Sequence, residues 1–513
     1  MNQLLSSGWS LDEISYYREH NGFTLEELLQ VSPPGRIEVA QPDNLVDLFR
    51  QLKPENKAAF SRDDRGFSRL YADCFRSILR YNVTAKEWYR FNGRIWQPDV
   101  GGLTAARLAK DFAEAIITYG FQCLPSGDEQ ADFIKFAGKY GDYNKRQTLV
   151  EDARSELFVT AEDFDRHGEY YCCQNGVFDL DRLELLPHSP EQMLSKISNV
   201  IYNPDAQAPR FERFLQEVME GDSLKIEYLL KAFGYALTDE TQEEQMVILY
   251  GASTRNGKST LLETLAHMHG GASGYALTMQ PEVLAQQKSK DSNAASGSIA
   301  RLSGCRFLVT SEPPKRMMFD AALLKTLLGR DTIVARHLYQ REFQFVPRFK
   351  LFMNTNYLPL ISDDTLFTSG RIQVVEFNRH FRADEQDRSL KSKLQQPDEI
   401  SGVFNWCLTG LNLYRETGLA PPSVVIQAVD SYRLANDKVQ QFLDECMVRT
   451  GRNTAAGAAY DEYKSWCDDS GFVPGSKRTF FDELKSKKLF ASRATVNGNT
   501  VKNVLIGYSS QPA

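Results

Sequence analysis

Three short apolar runs in the middle of the chain stand out in its pattern of hydrophobic and polar positions. They cover residues 246–250, 306–312 and 350–356. Apolar runs of this length with polar residues around them indicate buried strands. Apolar residues at helical spacing lie on both sides of these runs, in 209–238 and in 395–445. The alternation of strands with helical segments predicts an α/β core.

The first run leads into a loop bounded by glycines, and a helical pattern follows it. The loop residues are Gly251, Ala252, Ser253, Thr254, Arg255, Asn256, Gly257, Lys258, Ser259 and Thr260. A strand, such a loop with Lys-Ser, and a helix are typical of a phosphate-binding loop, whose main-chain N–H groups surround a polyphosphate. Gly257 permits a turn that a Cβ would obstruct, Lys258 is expected to reach the β- and γ-phosphates, and Ser259 to bind Mg²⁺. The alternative is a chance Gly-Lys-Ser in a surface loop, which leaves the flanking strand and helix without a role.

Polar side chains end the other two runs. Glu312 ends the second run, where a P-loop enzyme needs an acid to hold Mg²⁺ and orient water, and Asn356 ends the third, where an amide can contact that water or the γ-phosphate. Arg371 follows, and in a ring it could reach a neighbour's nucleotide as an arginine finger; the alternative is a surface salt bridge. The sequence therefore predicts a site for ATP and Mg²⁺. Its catalytic residues are Lys258, Glu312, Asn356 and Arg371, and its metal ligands are Ser259 and Glu312.

The alternating stretch 333–345 predicts a β-hairpin with a basic and aromatic tip. His337, Tyr339 and Arg341 lie near its turn. Basic and aromatic side chains at a hairpin tip suit contact with a phosphodiester backbone. An ordinary solvated turn is the alternative interpretation.

The C-terminal residues 446–513 predict a small domain of helix, turn, basic helix and hairpin. This is the order of a winged helix, which places its second helix in a DNA groove. On that helix, Lys477, Arg478 and Lys485 are the candidate DNA contacts. The alternative is a module that contacts proteins and has a solvated basic face.

Three features of the N-terminal half have less direct interpretations. Residues 1–35 predict two short helices, each with a capping box. Residues 88–96 predict a hairpin on an Asn-Gly turn, whose aromatics could stack on nucleic acid but more often pack a small sheet. Asp179 and Asp181 could form a metal site of the polymerase type. The turn signals around these two acids favour a surface hairpin instead.

Length and composition limit the class of protein. At 513 residues the chain is expected to hold two to four domains. Its net charge of −7 means that nucleic-acid contact must come from local basic features. No apolar run approaches the ~20 residues of a membrane span, and residues 1–5 lack the start of an export signal. The eight cysteines include no C-x-x-C pair, so free thiols are expected, in the cytoplasm of a bacterium or of a virus-infected cell.

In these residues and motifs, the chain resembles the superfamily 3 helicases. More narrowly, it resembles the helicase portion of the phage, plasmid and poxvirus primase–helicase group, over roughly residues 60 to 440. The motifs that carry the resemblance are the phosphate loop 256–260, the acidic strand end 311–312, the central motif 325–336, the sensor strand 352–356, and 174–180 with 186–188 in the preceding domain.

The resemblance implies an AAA+-type P-loop core that works as a homo-hexameric ring. Such a ring translocates on single-stranded DNA with ATP and Mg²⁺, usually in the 3′-to-5′ direction. The implied roles are phosphate and Mg²⁺ binding for Lys258 and Ser259, support of metal and water for Glu312, γ-phosphate sensing for Asn356, action in trans for Arg371, and pore contacts for Lys325, Arg336 and the hairpin near Tyr339.

The resemblance and the patterns together predict six segments. In chain order these are a short helical segment 1–59, an α+β domain 60–200, a helical collar 201–244, the motor core 245–385, a helical region 386–445 and a winged-helix-like domain 446–513.

Two departures from the family pattern matter. Glu312 is followed by Pro-Pro-Lys where relatives often have another acid, so the base that polarises water is left open. Relatives often place two arginines together at the finger, whereas Arg371 stands alone. The short N-terminal portion shows no primase domain, so no priming activity is predicted.

The predicted function is an ATP-dependent DNA helicase of a phage, plasmid or other mobile element. It is expected to act on single-stranded and forked DNA beside a separate primase or replication initiator. One alternative is a ring ATPase that does not translocate and acts as a nucleotide switch. The other is an origin-binding initiator with little unwinding.

Overall fold

The computed structural model describes residues 42–286, 297–315, 317–336, 342–470, 472 and 474–510. The two helices predicted in 1–35 lie outside these ranges. Within them the chain is a mixed α/β protein with a five-stranded parallel sheet. In the part of the chain so described, no helix is long and apolar enough to cross a membrane. The six predicted segment boundaries stay predictions.

The N-terminal block packs five helices against a small sheet. The helices are α1 (Pro42–Leu52), α2 (Asp64–Phe75), α3 (Leu103–Cys123), α4 (Asp128–Ala137) and α5 (Tyr143–Ala153). The strands β1 (Leu79–Asn82), β2 (Glu87–Phe91), β3 (Trp96–Pro98) and β4 (Phe158–Val159) pair in the order β3-β2-β1-β4. Aromatic rings fill the interior, where Phe67 stacks on Tyr140 with ring centroids 5.1 Å apart.

The predicted hairpin in 88–96 is confirmed. Strands β2 and β3 are antiparallel, with Phe91 opposite Trp96. In the turn, Asn92 accepts the main-chain N–H of Ile95 across 2.9 Å. Trp88 is 4% exposed and Trp96 is fully buried. Both tryptophans therefore pack the small sheet, which was the favoured interpretation of these aromatics.

A three-stranded antiparallel sheet, with its connecting turns, contains Asp179 and Asp181, the two acids considered as a possible metal site. It consists of β5 (Tyr170–Cys173), β6 (Gly176–Asp179) and β7 (Glu184–Leu186). The prediction of a surface hairpin is wrong, because every residue of β6 is buried. Asp179 accepts the main-chain N–H of Asp181 across 2.9 Å and so holds the turn. Asp181 forms an ion pair with Arg415, whose side-chain nitrogen lies 2.6 Å away.

The central block is built on one parallel sheet. Its elements are α6 (Pro209–Val218), α7 (Ser223–Tyr235), β8 (Met246–Tyr250), α8 (Lys258–Met268), β9 (Ala276–Met279), α9 (Gly297–Ala300), β10 (Phe307–Thr310), α10 (Ala321–Leu328), β11 (Ile333–Ala335), β12 (Phe343–Phe345), β13 (Lys350–Thr355), α11 (Thr365–Thr368) and β14 (Ile372–Glu376). The sheet order is β14-β8-β13-β10-β9, and all four pairings are parallel. The three strands predicted from the apolar runs, β8, β10 and β13, are confirmed.

Successive side chains along each strand point to opposite faces of this sheet, so each strand contributes to two hydrophobic cores. Val247, Leu249 and Phe352 share a core with α8. Ile248 and Met353 belong to the core on the other face. Helices therefore cover both faces, which explains why the strands read as nearly continuous apolar runs.

The helices around the sheet agree with the predicted pattern, with one exception. The periodic stretch 209–238 is interrupted at Glu220 and Gly221, which have φ values of 54° and 77°. Helix α7 packs against the helix Pro397–Thr417, in which a Cβ on Gly410 would lie 2.0 Å from the carbonyl oxygen of Leu230. The helices after the sheet are α12 (Leu390–Leu394), α13 (Pro397–Thr417) and α14 (Ser423–Asn436). The predicted break between the last two is confirmed.

The C-terminal block has its own small core. Its elements are α15 (Lys438–Cys446), β15 (Met447–Arg449), β16 (Thr454–Ala455), α16 (Ala456–Asp469), α17 (Lys477–Ser486), β17 (Phe490–Val496), β18 (Asn499–Leu505) and β19 (Tyr508–Ser510). Tyr463 stacks on Phe480 with ring centroids 4.8 Å apart. The predicted helix, basic helix and hairpin are confirmed, and Asn497 and Gly498 form the hairpin tip with φ values of 49° and 80°.

Candidate nucleotide site

The parallel sheet brings its polar strand ends to one edge. Strand β8 lies between β14 and β13, and β13 lies between β8 and β10. In this register Leu249 is level with Asn354. Because the carboxyl ends of parallel strands meet at the same edge, the phosphate loop, Glu312 and Asn356 leave the sheet side by side.

Close packing fixes the phosphate loop. Gly257 has a φ of 86°, and a Cβ there would lie 2.5 Å from Val218 of α6. A Cβ on Gly251 would lie 2.2 Å from the side-chain nitrogen of Asn256. The Asn256 amide is 3% exposed and donates to the carbonyl of Ser253 across 2.7 Å. Glycine is therefore required at both positions, and Asn256 holds the turn of the loop.

The side chain of Lys258 lies inside this site, 5% exposed. Its Nζ donates to Oδ1 of Asn256 and Oδ1 of Asn356, each across 2.8 Å, and to the carbonyl of Gly251 across 3.3 Å. Burial lowers the pKa of the ammonium to about 8, and the charge of Glu312 opposes that shift. All three acceptors are neutral oxygens. A phosphate would give the ammonium a direct countercharge, so these residues fit a nucleotide polyphosphate.

The two predicted metal ligands, Ser259 and Glu312, are both exposed at this edge. Nδ2 of Asn354 donates to Oγ of Ser259 across 2.9 Å. Oε1 of Glu312 accepts the main-chain N–H of Asn356 across 3.3 Å. Oδ1 of Asn354 is buried, and it has no hydrogen-bond partner among the described residues. A hydroxyl, a carboxylate and an available amide oxygen are hard ligands of the kind that Mg²⁺ takes, so this set fits that ion.

Sequence reasoning chose Asn356 and missed Asn354. The signal was present in the alternation of β13, because Asn354 shares a strand face with Phe352. Phe352 packs in the same core as Leu261 and Leu262 of α8. Asn354 therefore faces α8, where Ser259 lies in the first turn. The structure places one asparagine beside the predicted metal ligand and the other beside Lys258.

Arg371 lies at the opposite edge of the sheet from Lys258. It comes just before β14, and its carbonyl accepts the main-chain N–H of Met246 across 2.9 Å. Its guanidinium forms an ion pair with Glu244. Within one chain the structure thus shows the salt bridge that was the alternative interpretation. A role of Arg371 in trans stays a prediction.

A segment after β14 contacts the phosphate loop, and no sequence pattern predicted this contact. Nδ1 of His380 bonds to the carbonyl of Thr254 across 2.8 Å, so this nitrogen carries the proton. The main-chain N–H of Phe381 donates to the carbonyl of Arg255 across 3.0 Å. Arg255 itself has a φ of 59°, which is uncommon outside glycine. The two contacts hold the loop in this conformation from outside.

The pore candidates are described only in part. Lys325 lies on α10, with its Nζ 2.6 Å from a carboxylate oxygen of Asp363. Arg336 follows β11, which pairs with β12 in the predicted antiparallel hairpin. The candidates at the hairpin tip lie outside the described residues: His337, Tyr339 and Arg341.

The C-terminal candidates all lie on α17, but they differ in charge environment. The side chain of Arg478 is 94% exposed, and its nearest carboxylate oxygen, on Asp482, is 4.0 Å away. Nζ of Lys485 lies 2.8 Å from the same carboxylate. Nζ of Lys477 lies 5.8 Å from the ring centroid of Tyr460. Lys477 and Arg478, in the first turn, are therefore the more available cations of the three.

Three family models match separate parts of the chain. Residues 67–220 match a model described as "D5 N terminal like", and residues 434–508 match one described as "Poxvirus D5 protein-like". Between them, residues 249–371 match a family of unknown function. The match over 249–371 covers the last two residues of β8, the phosphate loop, and the whole of β10 and β13.

Curated relatives are viral proteins. The chain is 30% identical over 331 residues to "Putative helicase L207/L206" of Acanthamoeba polyphaga mimivirus, covering 59% of this chain and 34% of that protein. It is 26% identical over 269 residues to "Putative helicase 022R" of Frog virus 3, covering 49% and 27%. The chain thus spans about a third of the length of these relatives. Among solved structures, the apo C-terminal region of NrS-1 aligns with a TM-score of 0.49 and 9% identity, over 87% of this chain and 99% of that one.

Replacement of Lys258 by methionine should change how stability depends on pH. The folded pKa of about 8 lies below the ordinary value of 10.5, so between these pH values the unfolded chain holds a proton that the folded chain has lost. The stability of the native protein, relative to Lys258→Met, should therefore rise as the pH increases from 8 to 10.5. Urea unfolding of both proteins at about pH 7 and about pH 10 measures this difference. An equal difference in unfolding free energy at both pH values would contradict a lowered Lys258 pKa.

Proposed function

We propose that this chain, which belongs to the D5-like helicase family, is an ATP-dependent DNA helicase. In this proposal it forms a superfamily 3 ring that moves on single-stranded DNA during replication of a virus, phage, plasmid or other mobile element. One observation carries the proposal: the buried ammonium of Lys258 lies among neutral oxygens where the phosphate loop meets Glu312 and Asn356. The names of the viral relatives support DNA unwinding as the use of that site.

Each residue of the site has a task in hydrolysis. Lys258 exchanges its bonds to Asn256 and Asn356 for the β- and γ-phosphates, where it stabilises the growing charge. That exchange frees the Asn356 amide for the γ-phosphate or the attacking water. Glu312, held by the main chain of Asn356, orients that water. The chemistry that Mg²⁺ supplies when bound at Ser259 and Glu312 is neutralisation of phosphate charge.

Arg371 is the residue that the proposal assigns to a neighbouring subunit's site. Arg371 lies at the edge of the sheet opposite Lys258 and so contacts nucleotide that is bound to another copy of the chain in a hexameric ring. The guanidinium exchanges Glu244 for the neighbour's γ-phosphate when the ring assembles. An arginine supplied in trans stabilises charge that develops in the transition state.

DNA contacts are proposed at two places. Lys325, Arg336 and the tip of the β11–β12 hairpin face the pore of the ring. The C-terminal block contacts DNA as a winged helix, with α17 as its recognition helix. The exposure of Arg478 supports this assignment, because a phosphate-binding side chain must be available to the backbone.

Two other functions have an observation in their favour. The ion pair with Glu244 gives Arg371 a partner within one chain, which favours a nucleotide switch that does not translocate. The basic face of α17 favours an initiator that binds an origin and unwinds little. Strand displacement separates both from a helicase.

The experiment is strand displacement from forked DNA with ATP and Mg²⁺, beside steady-state ATP hydrolysis. The native chain should displace the strand, and Lys258→Ala should lose both activities. Mixing Lys258→Ala with Arg371→Ala subunits should restore part of the hydrolysis, because some interfaces then combine an intact Lys258 with an intact Arg371. Arg388→Ala, an exposed arginine after β14, is the matched control and should hydrolyse ATP like the native chain.

Hydrolysis without displacement by the native chain would favour the nucleotide switch. No recovery in the mixture, with both variants assembled, would show that Arg371 does not act in trans. Wild-type activity of Arg371→Ala alone would leave the residue as a salt bridge only.

The double variant Lys477→Ala with Arg478→Ala should weaken duplex binding in a salt-dependent way. Each lost phosphate contact reduces the slope of log affinity against log salt by about 0.9, so the slope should fall by about 1.8. Fluorescence anisotropy over a salt series measures the slope. Lys464→Ala, on the exposed side of α16, is the control and should keep the native slope. An unchanged slope in the double variant would assign α17 to protein contacts.

A further inference from the structure

We infer that Asn354 is a positioning residue for the Mg²⁺ site and takes the place of a second acid there. The inference rests on the proposed ATPase function and adds to it. It concerns how this chain holds the metal ion with one carboxylate, Glu312, at the end of β10.

The acidic strand supplies only one carboxylate at this edge. After β10 the chain reads Ser311, Glu312, Pro313, Pro314 and Lys315. Ser311 is exposed, and the Nζ of Lys315 lies 4.4 Å from the ring centroid of Tyr357. A P-loop site normally combines its Ser or Thr hydroxyl with an acid from the neighbouring strand. In this chain the side chain that bonds to the hydroxyl comes from β13 instead.

The register of β13 aims Asn354 at the phosphate loop. Asn354 is level with Leu249, the residue before the last one of β8, and it shares the strand face that packs on α8. Its Nδ2 reaches Oγ of Ser259 across 2.9 Å. The bond joins the end of a central strand to the first turn of α8. It therefore fixes the direction in which the Ser259 hydroxyl presents its remaining lone pair.

The other atom of the amide supports the same conclusion. Oδ1 of Asn354 is buried and lacks a hydrogen-bond partner within the described ranges. A buried acceptor that has no protein partner is available to accept a hydrogen bond from a bound water or from a water ligand of a metal ion. Mg²⁺ keeps several of its water ligands when it binds. A water of the ion can donate to Oδ1, so that Asn354 holds Ser259 with one atom and the hydrated ion with the other.

This arrangement has a consequence for charge. An amide brings no negative charge, so among the described residues at the ends of β10 and β13 only Glu312 supplies countercharge to the ion. The site should therefore depend on the nucleotide phosphates for most of its affinity for Mg²⁺, and the ion should bind together with ATP. Replacement of Asn354 by aspartate would add the missing carboxylate without changing the size of the side chain.

The test is binding of a fluorescent, non-hydrolysable ATP analogue titrated with Mg²⁺, and binding of the same probe in EDTA. Loss of a partner that orients a metal ligand typically costs about 10- to 100-fold in metal affinity. Asn354→Ala should raise the Mg²⁺ midpoint by about that factor and leave the affinity in EDTA unchanged. Asn354→Asp should restore the midpoint to the native value or below it. Asn144→Ala, which removes an exposed asparagine side chain of α5, is the matched control and should keep the native midpoint.

Two results would overturn the inference while the native chain still binds the probe. One is an unchanged Mg²⁺ midpoint in both Asn354 variants. The other is an equal loss of affinity with and without Mg²⁺ in Asn354→Ala, which would make the residue structural only. If the native chain binds the probe in neither condition, the proposed function itself fails.

Discussion

The parallel pairing of β8, β13 and β10 is the constraint on which the candidate site depends. In this register Leu249 is paired with Asn354, and Thr310 is paired with Met353. A slip of one residue in β13 would turn Asn354 to the other face of the sheet. A slip of two residues would keep the face but move the side chain by about 6.6 Å, at ~3.3 Å per residue. Either change would separate the amide from Ser259, so the contacts of the site follow from main-chain register.

At the amino ends of β10 and β13, two buried cations bond the sheet to neighbouring elements. Arg306, at the amino end of β10, donates to the carbonyls of Leu237 and Tyr170 across 2.6 and 2.8 Å. Lys350 begins β13 and donates to the hydroxyl of Thr238 across 3.2 Å, and burial lowers its pKa well below the ordinary value. These hydrogen bonds connect the parallel sheet to the three-stranded sheet β5–β7 and to the residues after α7. The amino ends of these strands are thus bonded to neighbouring elements, and the contacts of Lys258 lie at their carboxyl ends.

Most of the confirmed predictions came from patterns among residues that are close together in the sequence. The apolar runs gave β8, β10 and β13, and the spacing of Gly257 and Lys258 gave a loop followed by a helix. The Asn-Gly pairs gave two hairpin turns. These features depend on neighbours along the chain, so a sequence is enough to find them. Gly221 also indicates a break between α6 and α7. The helical spacing of the apolar residues on both sides of it nevertheless predicted one continuous helix.

Contacts between distant segments were not predicted. The bond from Asn354 to Ser259, the bond from Lys258 to Asn356 and the choice of Glu244 as the partner of Arg371 each need the sheet order, which one sequence does not provide. The burial of β6 was missed for the same reason, because Phe178 packs against Phe404 of α13. Polar residues in a hairpin pattern predicted a surface, and tertiary packing decided otherwise.

The proposed function requires the site around Lys258 to hydrolyse ATP and to couple hydrolysis to movement on single-stranded DNA. The most direct measurement is steady-state ATP hydrolysis by the native chain with Mg²⁺, with and without single-stranded DNA. The account predicts hydrolysis that rises when single-stranded DNA is added. Absence of hydrolysis under both conditions, from a protein that is folded and assembled, would contradict it.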